Sequence, residues 1–251
     1  MFPDYRIKHF PIAVWMLFVS VLPRMLLAQN SKKINDNSQA WTSINTLATI
    51  DKHWALIGDF HIRRNAFMHE PGFYFIRTGA AWYCRKDLFV ALGYGHMWLA
   101  TNIRDHYIYA GENRLYQQLQ YHARTGRIGF TQRIRNEQRW QQKIVNGQKT
   151  GYERFSDRIR YLFSVSIPIF KDVHWPELVI ADEVAVQFGR EIIYNRFDQN
   201  RFFIGIRQKL SQQLSFDFGY LYQYQQKYTP HEVDENQILR LFFYYQPRLR
   251  N

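Results

Sequence analysis

Between Arg127 and Ser166 the polar and apolar positions alternate with a period of two. Thr131, Arg133, Arg135, Glu137 and Arg139 fall on one parity, and Ile128, Phe130 and Ile134 on the other. Further on, Arg154, Arg158, Arg160 and Ser164 share a face, while Ile159, Tyr161, Phe163 and Val165 share the opposite one. This period belongs to extended chain, in which successive side chains point to opposite sides of a sheet. One face is a ladder of arginines with a glutamate, and the other is aromatic and branched aliphatic. A strand has this polarity when its outside meets lipid and its inside meets water or a polar network.

The same alternation recurs along the chain. It predicts strands over Gln39–Ile50, His53–Arg63, Phe73–Cys84, Leu88–Trp98, Asn113–Arg124, the two halves of the central stretch, Glu177–Phe188, the segment around Phe202–Arg207, Leu214–Gln225, and Leu239–Tyr245. Trp54, Leu56, Phe60 and Ile62 oppose Asp59, His61 and Arg63. Tyr74, Ile76 and Trp82 oppose Arg77, Gly79 and Ala81, and Val90, Leu92 and Tyr94 oppose Ala91, Gly93 and Gly95. Phe216, Phe218, Tyr220 and Tyr222 oppose Asp217, Gly219 and Gln223. Glycines on the inner face are expected to leave room for bulky side chains across the interior. Short connections near Asp51, Lys86, Gly126 and Gln212 alternate with longer polar ones near Met68, Arg104, Gly147, Tyr194 and Pro230, the longest running from Ala100 to Glu112. The fold class that follows is all-β, an antiparallel transmembrane β-barrel of about 12 strands (10–12), with short periplasmic turns and longer extracellular loops. Eleven strands are visible in the pattern. An even number is usual for single-chain bacterial barrels, so either the first segment is not a barrel strand or, as expected here, a twelfth lies near the N-terminus or within Ile167–Pro176.

Composition agrees with this reading. Aromatics make up 18% of the 251 residues, with 17 Tyr, 20 Phe and 7 Trp, yet the mean hydropathy is only −0.44. A barrel wall needs apolar residues at every second position only. Before the barrel, Arg6 and Lys8 precede an apolar run from Ile12 to Leu22, and Ala28 could stand before a cleavage point at Gln29, in the manner of a secretory signal peptide. The expected organisation is a signal peptide over 1–28, a polar tail over 29–38 and an outer-membrane barrel over 39–251. The single cysteine, Cys84, has no intramolecular partner and reads as buried or lipid-facing filler. The formal net charge of +12 does not point to nucleic acid, because export removes that partner and no recognition motif is present.

With the strands laid out, the chain resembles the bacterial outer-membrane barrel family catalogued as "domain of unknown function 2490". The resemblance rests on Trp41, Leu92-Gly93-Tyr94, Asn113-Arg114-Leu115 and the Arg133/Arg135/Glu137/Arg139 ladder. It continues through Arg158-Ile159-Arg160-Tyr161, Asp182-Glu183, Asn200-Arg201-Phe202 and Gly219-Tyr220. It implies an outer-membrane location in a Gram-negative cell and no known activity.

The candidate functional residues are the inward-facing charges Arg133, Arg135, Glu137, Arg139, Arg158, Arg160, Glu183, Arg201 and Arg207. They could line a narrow anion-preferring pore or bind phosphate and carboxylate groups. Alternatively, Arg133, Arg135, Arg158 and Arg160 pair with Glu137, Glu183, Asp59 and Asp217 and fill the barrel. A lipid hydrolase would need a serine–histidine pair on the outer wall. Ser156, Ser164 and Ser166 and His61, His96 and His122 are available, but none sits in a nucleophile motif. His53, His61, His69, His96 and His106 lack metal-ligand spacing. A soluble periplasmic lipid-binding barrel would reverse the faces, burying Phe216, Phe218 and Tyr220 and exposing Arg133, Arg135 and Arg158. The expectation is therefore a non-enzymatic, monomeric barrel in contact with outer-membrane lipid. It needs no cofactor or metal, has small anions as solutes, and serves as a narrow pore or as a structural or binding platform.

Overall fold

The computed structural model describes residues 32–170, 172 and 175–249. The signal peptide read at 1–28 lies outside the described residues. Eleven strands follow in order: β1 (Lys33–Thr49), β2 (Trp54–Asn65), β3 (Glu70–Arg85), β4 (Leu88–Ile103), β5 (His106–Thr125), β6 (Ile128–Val145), β7 (Gln148–Pro168), β8 (Glu177–Phe188), β9 (Phe197–Lys209), β10 (Leu214–Gln226) and β11 (Glu232–Tyr245). Each pairs antiparallel with the next, and the sheet closes on itself between β1 and β11.

Eleven strands in up-and-down order can close only if the first and last run parallel. The side chains that join them have this geometry. Asn35 Nδ2 donates to Asp234 Oδ1 at 3.0 Å, Gln39 Nε2 to Asn236 Oδ1 at 2.9 Å, and Asn45 Nδ2 to the Phe243 carbonyl at 3.1 Å. Partner numbers rise together along the two strands, as parallel neighbours require. The seam ends in a parallel bridge between Thr49 and Arg248, where Thr49 N donates to the Pro247 carbonyl and Leu249 N to that of Thr49. This corrects the expected twelfth strand. Among the described residues neither of its two proposed positions supplies one: β7 extends to Pro168, and β1 begins at Lys33, inside the segment read as a polar tail. Parallel closure replaces it.

Following Cα partners once round from Thr49, through Ala55, Ala81, Ala91, Gln118, Arg135, Arg160, Ala185, Gln199 and Gln225 to Asp234, leads back to β1 at Asn35. That stagger of about 14 residues on eleven strands tilts the strands by about 44° and gives a backbone radius of about 11 Å.

The expected contrast between short turns and long loops is not observed. Both rims carry mostly tight connections. At the lower rim, residues 50–53, 86–87, 126–127, 169–176 and 210–213 connect the strands. At the upper rim, residues 66–69, 104–105, 146–147, 189–196 and 227–231 do so. The segment Ala100–Glu112, read as the longest loop, is paired strand on both sides of a two-residue turn at Arg104 and Asp105, both with positive φ (48° and 67°). The polar break at Gly147 is likewise an Asn146–Gly147 turn with φ of 50° and 77°. Two consecutive left-handed residues match the twist of a hairpin, and Asn-Gly favours that geometry. Polar composition at these places marks hairpins that run on, not loops.

Side-chain direction follows the parity expected. Trp54, Leu56, Phe60, Leu92, Ile134, Ile159, Phe202, Phe218 and Leu239 are exposed on the outer face. Arg135, Glu137, Arg139, Arg158, Arg160, Glu183 and Asp217 are buried inside. The reverse arrangement, with Phe216, Phe218 and Tyr220 inward, is not the one adopted. Cys84 is free and exposed. The interior also holds two apolar clusters. One gathers Trp41, Val179, Ala181, Phe203, Leu221 and Ile238, and the other Ala55, Ile57, Ala81, Phe89 and Ala91.

Interior glycines make room for rings beside them, not for side chains across the barrel. Gly79, Gly93 and Tyr116 occupy successive positions on β3, β4 and β5, and Tyr116 lies over both glycines. A Cβ on Gly93 would stand 2.6 Å from Tyr116 Cε1 and would also collide with the Thr78 carbonyl. Phe203 lies over Gly205 in the same way, and Gly205 pairs with Gly219 on the next strand.

Candidate functional site

The barrel encloses a cavity of about 1750 Å³, lined by residues from both rims. All nine charges singled out in the sequence line it. The alternation of β6 and β7 aims Arg133, Arg135, Glu137 and Arg139 from one strand, and Arg158 and Arg160 from the next, into the same space.

Carboxylates there are shared between guanidiniums of neighbouring strands. Glu137 accepts from Arg158 Nε at 2.9 Å and Arg160 Nη1 at 3.0 Å, with Arg135 Nη1 at 3.6 Å. Glu183 on β8 gathers Arg133 of β6 at 2.6 Å, Arg160 of β7, and Arg201 of β9 at 3.3 Å. Arg158 reaches on to Asp198 on β9 at 2.9 Å. Arg139 forms a bidentate pair with Glu112 through Nε at 2.7 Å and Nη2 at 3.1 Å, and Arg114 shares that carboxylate at 2.6 Å. Arg207 pairs bidentately with Asp217 at 2.7 and 2.9 Å, and Arg240 lies 3.4 Å from the same group. Asp59 pairs with Arg77. Parallel N–H···O bonds of the Arg207 and Arg139 kind fix geometry as well as charge.

The structure thus brings together the predicted partners Arg133, Arg135, Arg158 and Arg160 with Glu137 and Glu183. Asp59 and Asp217 serve other arginines. Sequence reading missed Glu112, Asp198, Arg77, Arg114 and Arg240. The parity that turns Arg77 inward applies equally to Arg114, beside the outward Leu115, and to Arg240, beside the outward Leu239. Glu112 was lost because its segment was taken for a loop. Asp198 falls in the segment Gly189–Gln199 that reads as a loop, whereas β9 already begins at Phe197; a register shift between Ala185 and Val186 also puts it off the parity of Gln199 and Arg201.

The serines and histidines do not converge. Ser156 is buried in the interior, and Ser164 and Ser166 line the cavity. His96 contacts Asn113 Oδ1 at 2.7 Å and the Trp98 ring at 4.5 Å. His61 packs among Phe75 and Phe242, and His122 meets Thr131 Oγ1 at 3.1 Å. Among the described residues no three of His, Cys, Asp and Glu gather as a metal site.

Fold and interior together define a closed β-barrel that is apolar outside and cross-braced by ion pairs within. A family model described as "Protein of unknown function (DUF2490)" matches residues 38–234, and the chain belongs to that family. No curated protein and no solved structure matches the chain.

Proposed function

We propose that this chain is a monomeric outer-membrane β-barrel, exported with a cleaved leader, whose narrow, positively charged lumen admits small anions and performs no catalysis. The observation that carries the reading is the inverted polarity of the wall. On the outer face, aromatic residues stand at two levels: Trp82, Phe130 and Phe216 toward the lower rim, and Tyr74, Trp140 and Tyr224 toward the upper. They are eight to ten residues apart, which at the tilt above is about 20–24 Å, the height of an outer-membrane apolar band with its aromatic girdles. Aliphatic residues such as Leu92, Ile134 and Leu239 fill the space between.

Inside, the guanidiniums named above outnumber the carboxylates that serve them, so a fixed positive charge remains. Such a lumen repels cations and favours anions. The ion-pair braces and apolar clusters occupy much of the cross-section, which keeps any conductance small. Single-channel recording of the mature chain in planar bilayers tests this: small anion-preferring openings are expected, and large cation-selective ones contradict it.

A second reading, a binding platform, draws on β5, β6 and β7. These strands have 20, 18 and 21 residues, against 12 and 13 in β8 and β9. They rise well beyond the apolar band as a one-sided wall. Electrical silence together with loss of partner binding on shortening the 104–105 and 146–147 hairpins favours this alternative.

A further inference from the structure

Arg63 differs from the other guanidiniums of the interior. It lies two residues from the upper end of β2 and lines the cavity. Its Cζ sits 3.3 Å from the Trp41 ring centroid and 4.3 Å from that of Phe73. The Trp41 ring is held in turn, its Nε1 donating to Gln39 Oε1 at 2.7 Å while Gln39 Nε2 donates to Asn236 at 2.9 Å. Stacking on aromatic faces leaves the N–H groups of a planar guanidinium, which all point outward in its plane, free to bind. No carboxylate among the described residues pairs with Arg63, and its buried Nε has no hydrogen-bond partner.

Arg201 approaches the same Trp41 ring at 5.2 Å. The two guanidinium carbons are therefore no more than about 8.5 Å apart, which is within reach of one oxyanion bonded to both. Arg201 already shares Glu183 with two other arginines, and its own Nε is buried without a partner. Beside it Gln199 is 2% exposed, and its Nε2 also lacks an acceptor. Three donors, Arg63 Nε, Arg201 Nε and Gln199 Nε2, thus lack an acceptor among the described residues. An unpaired charge taken from water is costly until a counter-charge meets it.

We infer that Arg63 and Arg201, flanking Trp41 below the upper rim, form a binding site for a single oxyanion group, a carboxylate or a phosphate. The group is held bidentately by Arg63, bridged to Arg201 and capped by the Gln199 amide. The inference deepens the anion-preferring reading by naming a place and a chemistry, but it requires neither conductance nor a bilayer.

Isothermal titration of the mature barrel in neutral detergent micelles, at constant ionic strength set with chloride, tests it. The probes are inorganic phosphate, acetate, and short-chain phosphatidic acid against phosphatidylcholine. Saturable binding of phosphate or acetate, with one site per chain, is expected. Binding of phosphatidic acid alone assigns the same site to a lipid headgroup. Arg63→Gln should weaken the interaction about tenfold or more, the loss of one charge-assisted contact. Arg63→Lys keeps the charge without the fork and should also weaken it, which guards against a folding defect in the glutamine variant. Arg85→Gln, at the opposite rim, should change nothing. Absence of binding by every probe, or equal affinity in wild type and both Arg63 variants, overturns the site. Anion-preferring conductance with unaltered Arg63 variants would overturn the site alone and leave the pore reading standing.

Discussion

Glu183 is the position where the interior network is most exposed to a single change. Its carboxylate receives guanidinium donors from Arg133, Arg160 and Arg201, on three different strands, and its side chain is 7% exposed. Glu183→Gln conserves volume and one acceptor oxygen but removes the charge that three cations share. Removing one partner of a buried ion pair costs about 3–5 kcal/mol, because the remaining charge is left uncompensated. Arg160 keeps Glu137 as a second partner at 3.0 Å, and the cavity admits some water, so the lower end, about 3 kcal/mol, is expected. Urea unfolding of the mature chain reconstituted in phospholipid vesicles measures it, with the m-value checked for constancy. Asp87→Asn serves as the control. Its pair with Arg85 is 40% and 60% exposed, where water screens the attraction, so this variant should be close to wild type. If Glu183→Gln lies within about 0.5 kcal/mol of wild type at the same m-value, the carboxylate does not hold the strands together and the bracing account fails.

Three further outcomes are expected. Gly93→Ala should destabilise the barrel by about 1–3 kcal/mol in the same assay, since the new methyl meets the Thr78 carbonyl and the Tyr116 ring, whereas Gly58→Ala, with nothing within 4 Å, should be neutral. Leu241→Arg should cost about 2–4 kcal/mol in vesicles if Leu241 stands near the bilayer midplane; it pairs with the exposed Phe218 on the outer face, opposite in parity to Arg240. In the 189–196 connection, the hydrogen bond from Lys143 holds the Glu191 carboxyl below its ordinary value of 4.5. A carboxyl depressed by folding contributes stability above its unfolded value and loses it as pH falls through the lower folded value. Hydrogen exchange in this connection should therefore accelerate only below about pH 4.5, and Glu191→Gln should abolish that dependence.

The orientation of the wall was legible because a period of two is visible at every strand, and because aromatic and charged residues differ sharply in polarity. Phe218 opposite Asp217 and Ile159 opposite Arg158 needed no tertiary information. The heights of the strands were not legible. Toward the upper rim the alternation of polarity fades: Gln141–Gly151 is polar on both faces and His106–Gly111 is a mixed run, yet both keep their backbone pairing. The Asn146-Gly147 pair was the one local sign of a tight turn there. Parallel closure was also invisible, because the seam joins residues about 198 positions apart through side-chain amides of Asn35, Gln39 and Asn45 that carry no pattern of their own. Arg63 stood on the inward parity from the outset. Only the folded barrel, which places Trp41 against it and no carboxylate of the described residues within ion-pair distance, sets it apart.

The central claim is that the apolar outer face of this barrel lies in an outer membrane. Fractionation of cells making the full chain, with a sodium carbonate wash of the envelope and immunodetection of the mature protein, tests it most directly. The account predicts that the protein stays in the washed outer-membrane pellet, shortened by removal of its leader. Recovery of the mature chain in the soluble periplasmic fraction would contradict it.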